Sequence, residues 1–256
     1  MITGLDHIVL SAHSLDAVVA GYEVLFGRGA DRSAGNDTAR ASIRLANMRV
    51  ELVAAATGMA EGLSALAFAV PDIGTARQLI ERRALPVENA DASGVLRIAH
   101  AATHQVPVVL VERAPGAGST PPSPATSELD GVVAALDHVV IRSPDPQRAV
   151  ALYAGRLGLS LRLDRSEPAW GTRLLFFRCG DLIVEVAHDL KSGVGEGPDR
   201  LWGVSWRVPD VAKAHALLRA TGVDVSDIRA GRRPRTCVFT ARSHVAGVPT
   251  LMIGPA

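Results

Sequence analysis

Two largely apolar stretches, one carrying a histidine and the other a glutamate, organise the C-terminal half of the chain. Leu136-Asp137-His138-Val139-Val140-Ile141 and Asp181-Leu182-Ile183-Val184-Glu185-Val186 both read as strands. Successive strand side chains point to opposite faces, so His138 shares a face with Leu136 and Val140, and Glu185 shares one with Ile183. Each is a polar group on an otherwise apolar face. An ionised carboxylate there needs a hydrogen-bond network, a cation or a metal, because burial without a partner is costly. A neutral imidazole nearby suits a divalent metal.

The pattern also occurs earlier. Leu5-Asp6-His7-Ile8-Val9-Leu10 matches the first stretch and Arg49-Val50-Glu51-Leu52-Val53 the second, at nearly equal intervals. A repeat this long implies a duplicated domain rather than a solenoid. In order, the periodicity predicts a strand at 5–11, then a helix from Ser14-Leu15-Asp16 carrying Val18, Val19, Tyr22, Leu25 and Phe26. The helix stops at Gly27-Arg28-Gly29. Residues 33–37 are turn-like, 41–46 form a strand, and the Glu51 strand closes the unit.

A second unit repeats the plan, with a strand at 64–70, a helix from Ile73 to Arg83 behind Pro71-Asp72, and strands near 94–100 and 106–113. Residues 114–130 are rich in Pro, Gly, Ser and Thr and have no apolar period, which marks a linker. The third unit has a strand at 136–142, a helix at 145–156 and strands around 158–164, 172–178 and 181–187. The fourth begins at Trp202-Gly203-Val204-Ser205-Trp206, continues as a helix through His215, and ends with strands near 235–241 and 248–253. The expected class is therefore α+β, built from four βαβββ units. The expected domains are 1–113 and 131–256.

At 256 residues and 48% apolar content, the chain can build real cores. A net charge of +1 gives no general attraction to nucleic acid or to a membrane surface, and neither partner is expected. Lys191 and Lys213 are the only lysines, so arginine carries nearly all the positive charge. Cys179 and Cys237 lack metal-type spacing, which fits a reducing cytoplasm. The first residues lack the basic and long apolar regions of a signal peptide, and no run is long enough to span a bilayer. Dinucleotide, phosphate-loop and nucleophile-elbow motifs are all missing.

The Leu-Asp-His-Val/Ile-Val strand, the Arg148-Ala149-Val150-Ala151-Leu152-Tyr153 helix, Leu157-Gly158-Leu159 and the Glu-bearing strand together resemble the vicinal oxygen chelate superfamily. This superfamily includes glyoxalases, methylmalonyl-CoA epimerase, extradiol dioxygenases and bleomycin resistance proteins. The resemblance implies two tandem glyoxalase-like domains and a divalent metal (Ni, Zn, Mn or Fe) chelated by two oxygens of the substrate. It assigns metal ligation to His138 and Glu185, and to His7 and Glu51 in the first unit, with Glu185 also available as a catalytic base.

The matching positions of the second unit fall near Ala65 and Val109, and those of the fourth near Gly203 and Leu251. None of these four side chains can bind a metal. A full site would need the first and third units to combine, or a further histidine such as His100, His104, His188 or His244. Trp170, Arg173, Arg233 and His244 are candidates for lining a substrate pocket in the C-terminal half. Trp202 and Trp206 share a strand face and are expected to pack in the core.

Two functional readings follow. The first is a metal-dependent lyase or isomerase of dioxygenase-like fold acting on a small oxygenated metabolite, possible as a homodimer. The second is a metal-free binding protein of the bleomycin-resistance type with a degenerate metal site, in which His138 and Glu185 satisfy each other.

Overall fold

The computed structural model describes residues 1–34, 39–55, 58, 60–91, 94–113 and 133–256. The linker expected at 114–130 lies outside the described residues. Each βαβββ unit starts with a strand and a capped helix. In the first, β1 (Gly4–Ala12) leads to α1 (Leu15–Phe26), where the Ser14 hydroxyl accepts from the Ala17 amide and Gly27 closes the helix at φ 64°. The strands β2 (Asp31–Ala34), β3 (Ala39–Arg44) and β4 (Arg49–Ala54) follow. Residues 33 and 34, read from sequence as part of a turn, belong to β2, because Ser33 and Ala34 pair with Arg40 and Ala39 across the hairpin.

The second unit consists of β5 (Gly62–Val70), α2 (Ile73–Arg82), β6 (Val87–Asp91), β7 (Val95–Ile98) and β8 (Val108–Glu112). The third has β9 (Ala135–Arg142), α3 (Pro146–Val150), β10 (Ser160–Glu167), β11 (Thr172–Cys179) and β12 (Leu182–Asp189). The helix expected over 145–156 is capped by Asp145, which accepts from the Gln147 and Arg148 amides. After Val150 it widens into a π-helical turn over Ala151–Arg156, where the Leu157 amide reaches back five residues to the Leu152 carbonyl. The fourth unit has β13 (Arg200–Arg207), α4 (Val211–Ala220), β14 (Arg229–Ala230), β15 (Thr236–Ala241) and β16 (Thr250–Pro255).

The strands form two eight-stranded sheets of the same design, β2-β3-β4-β1-β5-β8-β7-β6 and β10-β11-β12-β9-β13-β16-β15-β14. The architecture is α+β, with one strand order used twice along the chain. In the second, third and fourth units the first strand pairs in parallel with the last. Among the described residues no helix is long and apolar enough to cross a membrane.

The chain divides into two compact units, each made of several segments. One comprises residues 1–7, 65–118 and 138–202; the other comprises 8–64, 119–137 and 203–256. In the second of these, Tyr22, Phe26 and Trp206 are fully buried, with edge-to-face contacts from Phe26 to Tyr22 at 5.3 Å and to Trp206 at 4.9 Å between ring centroids. Asp137, nearly buried, is held there by Arg207 at 3.0 Å and Arg233 at 2.8 Å. In the first, Asp6 accepts from Arg113 at 2.6 Å and faces His7 at 2.6 Å.

Burial by itself would raise the Asp6 carboxyl, but the hydrogen bonds and charges of His7 and Arg113 outweigh it and hold the group well below the usual carboxylate range. A lowered folded-state value contributes stability above the unfolded value of about 3.9, and that stability is lost as pH falls toward the folded value. Asp6→Asn is expected to lower unfolding free energy at pH 7 by on the order of 1–3 kcal/mol. The deficit relative to wild type should narrow below about pH 4 when urea unfolding is repeated across pH.

Candidate functional site

His138 and Glu185 come together through strand register. β9 and β12 run parallel and unshifted, with Ile183 beside His138, Glu185 beside Val140 and Ala187 beside Arg142. The two side chains are therefore diagonal neighbours on one face, and His138 Nε2 stands 3.6 Å from Glu185 Oε2. Both are mostly buried, at 16% and 14% side-chain exposure, so the pair sits in the sheet surface rather than free in solvent.

The register of β10 and β11 extends this face. Phe176 lies beside Glu185 and Leu163 beside Phe176; Leu174 lies beside Ala187 and Arg165 beside Leu174. One row across the sheet thus reads Val140, Glu185, Phe176, Leu163, and the next reads Arg142, Ala187, Leu174, Arg165. Leu163 is 48% exposed, and Trp170 and Trp202 are also exposed. The Arg142 guanidinium lies over the Trp202 ring at 4.5 Å, and that of Arg165 over Trp170 at 5.6 Å. The result is a carboxylate and an imidazole set in an apolar surface bordered by aromatic rings and arginines.

The remaining residues singled out from sequence have surroundings of their own. His7 shares a compact unit with His138 and Glu185 but pairs with Asp6, whereas Glu51 belongs to the other unit and pairs with Arg49 at 3.0 Å. Arg173 lies beside His188 in the ladder, an odd number of residues from Phe176, so it faces away from Glu185. There it forms a two-pronged pair with Asp164 at 2.6 and 2.8 Å, which lowers the Asp164 carboxyl and raises the arginine. Arg233 is engaged by Asp137. His244 is exposed at φ 65°, with Nδ1 against the Ser243 hydroxyl at 2.9 Å. His188 is buried with Nδ1 at the Ser143 carbonyl, and His104 and His100 lie at the 3-10 turn before β8. Trp206 packs in the core as expected, but Trp202 does not.

Sequence reasoning passed over Arg142 and Phe176. Arg142 was legible, since it stands four residues after His138 on the same strand. Phe176 needed the β11–β12 register.

Among the described residues no group of three or more His, Cys, Asp or Glu side chains is placed to hold a metal ion. His138 and Glu185 would offer a cation two protein donors, one fewer than the three usual in catalytic zinc sites. The fourth βαβββ unit adds none. At Gly203, a Cβ would stand 2.7 Å from the Pro249 carbonyl oxygen, so the backbone itself closes that position to a ligating side chain. The residues present therefore do not fit a metal centre of the usual kind.

Residues 137–239 match the model of the Glyoxalase/Bleomycin resistance protein/Dioxygenase superfamily. No curated protein matches the chain. Solved structures share the fold over almost its whole length. A mutant of 4-hydroxymandelate synthase from Streptomyces coelicolor aligns over 100% of this chain and 93% of its own, with TM-score 0.73 and 13% identity. The 2,2',3-trihydroxybiphenyl 1,2-dioxygenase of Sphingomonas wittichii aligns over 99% and 91%, with TM-score 0.72 and 19% identity. The Mn(II)-bound glyoxalase of Novosphingobium aromaticivorans aligns over 99% and 82%, with TM-score 0.71 and 16% identity.

The close approach at Gly203 gives a direct check. Gly203→Ala is expected to destabilise the protein by about 1–3 kcal/mol in urea unfolding, because the methyl group must displace backbone rather than a flexible side chain.

Proposed function

We propose that this chain, whose residues 137–239 match the glyoxalase, bleomycin resistance and dioxygenase superfamily model, binds a small oxygenated metabolite on the face of β9, β12, β11 and β10. His138 and Glu185 act there on a proton of the bound molecule without a resident metal. The observation that carries this reading is the 3.6 Å apposition of imidazole and carboxylate on that face, with no group of three ligating side chains among the described residues.

The roles follow from what these groups can do. Phe176, Val140 and Leu163 supply apolar surface for the body of the ligand. That surface excludes water around the pair, which strengthens any hydrogen bond formed to it. Glu185 accepts a proton from a hydroxyl, or from a carbon next to a carbonyl, and His138 holds the carboxylate in place and meets the developing charge. Proton movement next to a carbonyl is the lyase or isomerase type of reaction. If turnover does not occur, the same contacts describe a binding protein.

Metal analysis combined with binding tests the proposal. Protein purified without tag or chelator and offered Ni²⁺, Zn²⁺, Mn²⁺ and Fe²⁺ should retain far less than one equivalent after desalting. In tryptophan-fluorescence titrations with the neutral phenol 4-(hydroxymethyl)phenol, His138→Ala and Glu185→Gln should each weaken binding about tenfold, or roughly 1.4 kcal/mol. One tightly held metal per chain, lost on His138→Ala, would overturn the metal-independent reading in favour of a metalloenzyme.

A further inference from the structure

Arg142 differs from the other arginines near this face in what it does with its hydrogen-bond donors. Arg165 is paired with Glu167 at 2.8 Å, Arg173 with Asp164, and Arg178 donates to the Gly180 carbonyl at 3.0 Å. Arg142 is exposed, lies over Trp202, and makes no hydrogen bond or ion pair among the described residues. A guanidinium held over an indole face by cation–π attraction still has N–H groups to offer a ligand. That geometry suits a planar anion held by two parallel hydrogen bonds.

Its place on the sheet sets the size of what it can hold. Arg142 lies two residues beyond Val140, the ladder neighbour of Glu185, on the same strand face. Two residues of strand cover about 6.6 Å. Between the two rows the floor is apolar: Val140 is buried, Ala187 is small and Phe176 offers a ring. A carboxylate on Arg142 and a polar oxygen at Glu185 are therefore about one six-membered ring apart.

We infer that Arg142, held by Trp202, is an anion subsite that selects monocarboxylates of a single flat ring bearing a hydroxyl or oxo group opposite the carboxylate. This rests on the binding face proposed above and adds the substrate class. The ring lies over Val140, Ala187 and Phe176, its carboxylate meets the Arg142 guanidinium, and its far oxygen reaches the His138–Glu185 pair.

The test uses isothermal titration with 4-hydroxybenzoate and its neutral counterpart 4-(hydroxymethyl)phenol, on wild type, Arg142→Gln, Arg142→Lys and His138→Ala. Wild type should prefer the carboxylate by about tenfold or more, the scale of a charge-assisted hydrogen bond. Arg142→Gln should abolish that preference while leaving the neutral phenol within about twofold, and Arg142→Lys should restore part of it. His138→Ala should weaken both probes alike.

A purely structural Arg142 would lower both probes together or neither, and an unchanged carboxylate preference in Arg142→Gln would overturn the subsite. If His138→Ala still weakened both probes in that case, the binding face would stand without the subsite. If Arg142→Gln removed the preference but His138→Ala changed nothing, the subsite would stand and the role of the His138–Glu185 pair would fail. Failure of wild type to bind either probe at millimolar concentration, or to distinguish them, would overturn the substrate class.

Discussion

The parallel pairing of first and last strands within a βαβββ unit is the constraint on which the rest depends. Parallel neighbours cannot be joined by a tight hairpin, so a crossover must intervene, and here it is a helix and two further strands. In the third unit that return is unshifted from Ile183 to Ala187 against His138 to Arg142. A slip of one residue would send Glu185 to the opposite face, among Val184, Val186 and the buried His188. The His138–Glu185 pair thus depends directly on the register that the α3 crossover and the β10–β11 strands set up.

Arginine is used in this protein largely as a structural tie. Arg28 donates to the carbonyls of Arg44 and Val133, Arg148 reaches the buried Asp199, and Arg207 and Arg233 hold Asp137. Each satisfies a group that would be costly to bury alone. Arg233, a pocket-lining candidate from sequence, is engaged on an aspartate of its own compact unit. The exposed Arg142, lying over Trp202, is where the anion subsite is proposed instead.

The two His/Glu pairs illustrate how a duplicated motif separates from a duplicated site. His7 and His138 follow the same Leu-Asp pair, but the aspartates are satisfied differently. Asp6 takes Arg113 and His7 itself, whereas Asp137 takes two arginines. With His7 facing its neighbour Asp6 and Glu51 facing Arg49, each polar group of the first pair has a local partner. In the second pair the imidazole and the carboxylate stand directly against each other, 3.6 Å apart.

The sequence by itself determined the repeating βαβββ plan, because strand alternation, capping residues such as Ser14, Asp72, Asp145 and Asp210, and the stop at Gly27 are all local signals. It also determined which histidine and glutamate would share a face with apolar residues. The hairpin strand β2, the π-helical turn after Val150 and the opposite fates of Trp202 and Trp206 were not legible, since pairing partners and neighbouring helices decide them. Placement of Arg173 was decided the same way: the sequence puts it near the site, and the β11–β12 register turns it to the other face. Local periodicity says which side chains share a face, but only the packed strands say what stands across from them.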